Sequence, residues 1–116
     1  MILKGLVHAA DIGNPTRPFD IAMKWAENIV SEFFDQGDKE RCHGFEISML
    51  CDRHTTNFAK SQIGFLNFVI SPYFNVLNKV FPKFESLCSE ISTNVEIYQG
   101  KVEEFEEIMK KGNDHL

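Results

Sequence analysis

The chain has 116 residues, of which 43% are hydrophobic and 25% are charged. That length fits one domain or part of one, and the apolar fraction excludes a disordered protein. Twelve Lys and Arg against seventeen Asp and Glu give a formal net charge of −5, which disfavours binding to nucleic acid or an anionic membrane. The longest apolar stretch, residues 63–70, is far shorter than the ~20 residues of a membrane span, so no membrane span is expected.

The three cysteines, Cys42, Cys51 and Cys88, are widely spaced and form no Cys-x-x-Cys pair. An odd number with this spacing supports neither a disulfide framework nor a zinc ribbon. We therefore expect free thiols, as is usual in a reducing compartment, and a cytoplasmic location.

Apolar residues recur at helical spacing along most of the chain and strand patterns are nearly absent, which predicts an all-α fold. The first helix is expected over residues 2–10. It precedes an irregular turn, because Pro15 and Pro18 disfavour helix just before them. The apolar spacing predicts a second helix over residues 19–35, ended by Gly37 in the left-handed conformation that closes many helices.

The middle of the chain is predicted as a loop followed by two helices. Residues 37–51 are polar and contain glycine, which is typical of a loop. A third helix is expected over residues 53–70, with Asp52 as its N-cap. Pro72 then indicates a kink or a new helix start, and residues 73–80 continue as a helix.

The last segment, opened by Pro82, has the clearest periodicity. Its apolar residues alternate spacings of four and three and form one stripe along a long helix. The stripe consists of Phe84, Cys88, Ile91, Val95, Tyr98, Val102, Phe105 and Met109. It fits a coiled-coil seam, but docking on the body of a helical domain is the favoured interpretation.

Asp11 lies at the end of the first predicted helix, beside a loop that holds two prolines. A carboxylate on a rigid turn suits a hard divalent cation, which prefers oxygen ligands. The same carboxylate could equally cap the helix or accept hydrogen bonds from turn amides, so by itself Asp11 is weak evidence for a metal. His8, one turn earlier, is interpreted as structural or as a support for a ligand.

Gln62, Phe65 and Val69 fall at i, i+3 and i+7 and share one face of the third predicted helix. An amide that donates and accepts can read a purine edge while a neighbouring ring stacks on the base. The alternative is a core aromatic residue with a surface glutamine, and the spacing alone favours that alternative.

Several motifs together resemble one known family. HAADIGNPTRP, EFFDQGDKER, EIS-x-LCDR and KSQIGF occur in this order, with a looser NVEIYQ in the last helix. They resemble the C-terminal half of a class I 3',5'-cyclic-nucleotide phosphodiesterase catalytic domain. The resemblance is clearest over residues 7–82. It implies that residues 1–116 are a partial catalytic domain, the C-terminal portion of the all-helical HD-type bundle, in which residues 83–111 form a long amphipathic helix.

The resemblance implies a pocket for a cyclic nucleotide. It assigns Gln62 to a hydrogen bond with the purine, Phe65 to stacking on the base, and Ile29 to the opposite side of the base. Asn14 would lie near the base or the ribose. The remaining pocket-lining positions implied by the resemblance are Phe33, Leu50, Ser61 and Val69.

The resemblance also implies two adjacent divalent cations, zinc and magnesium or manganese, with Asp11 as one ligand. The family's His-Asn-x-x-His segment and later His-Asp pair supply the other ligands and the general acid, and they have no counterpart here. His43, His54 and His115 do not occupy matching positions. We therefore expect the chain alone to be inactive, and no catalytic residue is assigned.

The expected function of the complete domain is hydrolysis of 3',5'-cyclic nucleotides to 5'-monophosphates. Asn14 and the EIS and KSQ motifs lean towards cAMP rather than cGMP. The alternative is a non-catalytic helical module or a truncated gene product that binds partner helices through the stripe at residues 84–109. Half of a helical domain also exposes apolar faces, so self-association is expected.

Overall fold

The computed structural model describes residues 1–114, so His115 lies outside the described residues. Five α-helices and short connections make up this part of the chain, and it contains no strand. The helices are α1 (Ile2–Asp11), α2 (Phe19–Cys42), α3 (Phe58–Phe65), α4 (Ser71–Val80) and α5 (Glu85–Asp114). Two 3₁₀ turns, Asn14–Thr16 and Pro82–Phe84, and a π-helical turn, Leu66–Ile70, connect them. The predicted all-α fold is confirmed.

The hydrophobic core lies between α5 and the rod formed by α3, the π-helical turn and α4. Apolar residues from both sides fill it, and α5 supplies the middle of the predicted stripe. The largest fully buried apolar side chains are Leu66, Ile70, Phe74, Ile91 and Tyr98. The stripe therefore docks on the body of the same chain, as the favoured interpretation holds.

The second helix is longer than predicted, because Gly37 does not end it. α2 continues to Cys42, and Gly37 is buried in the last third of the helix. A Cβ atom at this position would overlap the carbonyl oxygen of Cys51 on the loop that follows. The glycine thus permits two backbone segments to approach closely. From the sequence alone, such a glycine cannot be distinguished from one that ends a helix.

The third helix starts later than predicted, at Phe58 rather than at Arg53. Its N-cap is Asn57, whose Oδ1 accepts a hydrogen bond from the Lys60 backbone N–H at 3.0 Å. Asn57 also donates through Nδ2 to the carbonyl oxygen of Val102 at 3.2 Å. This amide therefore caps α3 and ties it to α5 at the same time.

Asp52 is not the N-cap that the sequence suggested. Its carboxylate accepts from Arg41 Nη2 on α2 at 2.7 Å and from the backbone N–H of His54 at 2.9 Å. These hydrogen bonds lower the pKa of Asp52, the backbone N–H of His54 being the largest cause. Asp52 thus holds residues 43–57, the loop between α2 and α3, against the end of α2.

The predicted kink at Pro72 takes the form of a π-helical turn. Pro72 lacks an N–H, and its ring crowds the carbonyl oxygen four residues earlier in an α-helix. The wider π-helical turn Leu66–Ile70 lies immediately before α4, where Pro72 occupies the first turn. The chain therefore passes from α3 to α4 as one continuous rod.

Apolar side chains on α1 and elsewhere remain uncovered. Ile2 and Leu3 are 66% and 74% exposed. The expected self-association is untested and stays a prediction. None of the described helices is long and apolar enough to span a membrane, and the cytoplasmic location stays a prediction as well.

Replacing Gly37 by alanine should destabilise the fold, because the new methyl group would push the Cys51 backbone away from α2. We expect a loss of about 1–3 kcal/mol in the free energy of unfolding, the usual range for overpacking. Urea denaturation followed by Trp25 fluorescence measures it. Gly100→Ala is the matched control, since a Cβ on Gly100 meets no atom within 4 Å. An unchanged denaturation midpoint for Gly37→Ala would contradict the close approach.

Candidate functional site

A largely apolar cavity of about 370 Å³ lies between α2 and α3. That volume is within the range of small-molecule sites. The described residues that line it are Asp11, Ile12, Asn14, Pro15, Ala22, Trp25, Ala26, Ile29, Val30, Phe33, Leu50, Ser61, Gln62, Phe65, Leu66, Asn94 and Tyr98. The turn after α1, the loop before α3 and the middle of α5 therefore complete the cavity walls.

The wall on α2 is an aromatic and aliphatic ridge. Trp25, Ile29 and Phe33 recur every four residues, which places them one above the other on a single helix face. Each remains between 40% and 49% exposed, because this face borders the cavity rather than the core. The ridge is therefore available to an apolar ligand surface.

The facing wall on α3 carries the polar groups. Ser61 Oγ donates to the carbonyl oxygen of Phe58 at 2.7 Å, so the hydroxyl keeps only its acceptor capacity for a ligand. The Gln62 amide makes no hydrogen bond with another described residue. Phe65, one turn further along, is 41% exposed. α3 thus presents an uncommitted amide beside an accessible ring.

The turn that carries Asn14 is held by a buried asparagine from α5. Asn94 is fully buried, and its Nδ2 donates to the carbonyl oxygens of Pro15 and Arg17, both at 2.8 Å. Within the turn, Thr16 Oγ1 donates to the carbonyl oxygen of Gly13 at 2.6 Å. The bonds from Asn94 give donors to the carbonyl oxygens of Pro15 and Arg17, and all of these bonds hold the rim of the cavity in place.

Asn94, Trp25 and Tyr98 border the cavity although sequence reasoning did not select them. Asn94 offered a signal, since it is a polar residue beside Ile91 and Val95 in the most regular apolar stripe of the chain. An asparagine buried at such a position needs hydrogen-bond partners. The sequence alone did not show that those partners are carbonyls nearly eighty residues earlier.

The structure brings together seven of the eight predicted pocket residues. Asn14, Ile29, Phe33, Leu50, Ser61, Gln62 and Phe65 all line the cavity. Val69 does not, and its side chain is 49% exposed. The reason is the π-helical turn, which contains Val69 and rotates it away from the face that an uninterrupted α-helix would give it. The roles of all these residues towards a ligand stay predictions.

Asp11 lies on the cavity rim and is exposed to solvent. Among residues 1–114, no group of three or more His, Cys, Asp and Glu side chains is arranged to hold a metal ion. His8 packs its ring edge-on against Tyr73, with centroids 5.1 Å apart. One carboxylate does not form a two-cation centre, so the described residues alone do not fit the implied metals.

Comparison with known protein families identifies the family of this chain. A family model described as 3'5'-cyclic nucleotide phosphodiesterase matches residues 1–91. The chain belongs to this family. The resemblance expected from the sequence motifs is confirmed, and the match extends beyond residues 7–82 at both ends.

Individual phosphodiesterases agree with the family assignment. The chain is 39% identical over 102 residues to 3',5'-cyclic-AMP phosphodiesterase 4C of Mus musculus, covering 87% of this chain and 15% of that protein. It is 35% identical to the probable 3',5'-cyclic-AMP phosphodiesterase pde-4 of Caenorhabditis elegans, covering 89% and 15%. The phosphodiesterase domain of the Salpingoeca rosetta rhodopsin phosphodiesterase superposes with a TM-score of 0.79 at 28% identity, covering 95% of this chain and 34% of that structure. The chain thus spans a small part of its relatives.

Tyr98 should make the stability of the fold depend on alkaline pH. Burial, and secondarily the charge of Glu27, raises the pKa of Tyr98 to about 12 from an ordinary value of 10. Above pH 10 the unfolded chain loses the phenolic proton first. The contribution of Tyr98 to stability is therefore complete below pH 10 and is lost as the pH rises to 12. We expect a loss of about 1–2 kcal/mol.

Chemical denaturation at pH 9, 10, 11 and 12 measures this dependence. Tyr98→Phe is the matched control, because it keeps the ring in the core and removes the titrating hydroxyl. The unmodified chain should lose stability relative to Tyr98→Phe as the pH rises from 10 to 12. Parallel pH profiles would contradict the assignment.

Proposed function

We propose that this chain forms the base-recognition half of a catalytic domain that hydrolyses 3',5'-cyclic nucleotides to 5'-monophosphates. One observation carries the proposal: Gln62 and Phe65 line the same cavity as Ile29 and Asn14. These residues come from three separate parts of the chain. Membership of the phosphodiesterase family supports the reaction.

The cavity walls suit a flat, partly polar ligand. A base between Phe65 and Ile29 would stack on the ring and lie against the aliphatic side chain, while the Gln62 amide would donate to and accept from its edge. Stacking on an aromatic ring contributes ~1–3 kcal/mol, whereas a neutral hydrogen bond nets ~0.5–1.5 kcal/mol. Phe65 would therefore supply most of the affinity, and Gln62 would mainly orient the base.

We propose cAMP rather than cGMP as the preferred substrate. The motifs that carry Asn14 and Gln62 support this, and so do the relatives, whose names describe them as acting on 3',5'-cyclic AMP. The side-chain amide of glutamine can present its donor and acceptor in either order, so Gln62 itself permits both purines. The preference would therefore depend on the groups around Gln62.

Asp11 would be one ligand of the divalent cations of the complete domain. Such cations, when bound, supply a nucleophilic hydroxide at neutral pH and neutralise the charge of the phosphate. Since the described residues provide only one donor, we propose that residues outside this chain complete the centre. The chain by itself would bind the base without hydrolysing the phosphodiester.

The alternative function, binding of partner helices through the stripe of α5, has less support. Ile91, Val95 and Tyr98 are buried in the chain's own core. They are therefore not available to a partner unless α5 detaches. The proposed nucleotide cavity has no such obstacle, because the side chains of Trp25, Phe33 and Phe65 that line it are 40–49% exposed.

Nucleotide binding can be tested with Trp25, the single tryptophan of the chain, which lines the cavity. Titration with cAMP and with cGMP should change its fluorescence saturably, with a lower Kd for cAMP. Phe65→Ala should raise the Kd about 5- to 100-fold and Gln62→Ala about 2- to 10-fold, following the energies above.

Phe68→Ala is the matched control for Phe65→Ala. Phe68 is 85% exposed and does not line the cavity, so its removal should leave the Kd unchanged. An equal loss of affinity in both variants, or no saturable response in the unmodified chain, would refute the proposed pocket.

The expected lack of activity is tested by incubating the purified chain with cAMP and zinc, magnesium or manganese. We expect no 5'-AMP above the background of a heat-denatured sample, because one carboxylate holds such cations too weakly. Metal-dependent turnover that disappears in Asp11→Asn would show that the chain alone is an active enzyme.

A further inference from the structure

Leu50 has an unusual backbone conformation at the edge of the cavity. Its φ angle is +68°, and it is the one non-glycine residue with positive φ in the described part of the chain. A branched side chain adopts this left-handed region at a cost and does so where surrounding contacts enforce it. Leu50 also lines the cavity. The contacts that enforce its conformation therefore also determine one wall of the pocket.

Leu50 is the third residue of a tight turn. The turn runs from Ser48 to Cys51 and is closed by a hydrogen bond from the Cys51 N–H to the carbonyl oxygen of Ser48, 3.0 Å long. Positive φ at the third position is the requirement of a type II turn, which usually has glycine there. The sequence has leucine at this position, so the residue with the strained backbone also contributes its side chain to the cavity wall.

One carboxylate on α2 holds the start of this turn. Glu40 Oε2 accepts from the backbone N–H of Ser48 at 2.8 Å, and Oε1 accepts from Ser48 Oγ at 2.8 Å. Gln36 Nε2 donates to the same Oε1 at 2.9 Å. Hydrogen bonds from Ser48 and Gln36 lower the pKa of Glu40, the Ser48 backbone N–H being the largest cause. Three donors therefore converge on an ionised carboxylate.

The other end of the turn is held by packing. Cys51 is 5% exposed and lies against Gly37, where α2 has no side chain. Burial raises the pKa of its thiol, as expected for a cysteine in the interior. The turn is thus fixed to α2 at both ends, and Leu50 lies between the two attachments.

We propose that Glu40 is a positioning residue of the nucleotide pocket: through Ser48 it holds the turn in its strained conformation and so places the Leu50 side chain in the cavity wall. Glu40 itself does not line the cavity. Ligand affinity would therefore depend on a carboxylate that does not touch the ligand. This inference builds on the proposed function, since it takes the cavity as the nucleotide pocket.

The first experiment needs no nucleotide. Methyl NMR spectra of leucine-labelled protein report the surroundings of Leu50, whose methyl groups lie in a cavity lined by aromatic rings. Glu40→Gln should shift the Leu50 methyl resonances, because the amide offers one acceptor oxygen where the carboxylate offers two, and it removes the negative charge to which Ser48 and Gln36 donate. Ser48→Ala, which removes only the hydroxyl bond, should shift them less and in the same direction.

Glu46→Gln is the matched control, as it removes an equal charge from an exposed residue of the same loop. Unshifted Leu50 resonances in Glu40→Gln, or equal shifts in Glu46→Gln, would overturn the proposal. If Glu40→Gln does not fold, Ser48→Ala decides the question by the same criterion.

The second experiment is a double-mutant cycle on cAMP binding, followed by Trp25 fluorescence. Glu40→Gln should raise the Kd about three- to tenfold in the unmodified chain and leave it unchanged in a Leu50→Gly background, where there is neither strain nor a side chain to place. A merely structural role of Glu40 would raise the Kd equally in both backgrounds and would overturn the positioning role. Absence of cAMP binding by the unmodified chain would refute the proposed function instead, and the NMR comparison would still decide whether Glu40 positions Leu50.

Discussion

The buried amide of Asn94 is the interaction on which the arrangement of the cavity depends. Its two hydrogen bonds join the turn after α1 to the middle of α5, which lies nearly eighty residues later in the sequence. Without them, the carbonyl oxygens of Pro15 and Arg17 would lose their donors beside a core from which water is excluded, which is costly. This side chain helps to position the turn that carries Asn14 relative to α3, since α5 is also the helix against which α3 packs.

The loop between α2 and α3 is held mainly by charges, in contrast to the apolar core. Arg41 pairs with Asp52, and Arg53 pairs with Asp38, in exposed or half-exposed positions. Exposed ion pairs contribute little to stability, but their geometry selects one path for the loop over others. Together with the packing at Gly37 they fix the loop against α2, where it forms part of the cavity. Polar contacts therefore determine the conformation of this loop, while burial of apolar side chains in the core supplies most of the stability.

Local patterns predicted the helices well, because the periodicity of apolar residues reflects which side each helix buries. They failed where a residue contacts a partner in another segment of the chain and where the helix changes type. Gly37 resembled a helix terminator but accommodates Cys51, and Asp52 resembled a helix cap but pairs with Arg41. Val69 followed the helical spacing, yet a π-helical turn moved it off the predicted face. The pocket positions came from resemblance to the family, since spacing alone favoured a core aromatic at Phe65.

The π-helical turn determines how the faces of α3 and α4 are rotated relative to each other. A π-helical turn holds one residue more than an α-helical turn, which shifts the angular phase of all later residues by about 100°. The cavity-facing side of α3 and the core-facing side of α4, where Phe74 is buried, are therefore set independently of each other along one continuous rod. Substitutions that reshape the cavity wall on α3 can therefore accumulate during evolution without disturbing the packing of α4 in the hydrophobic core.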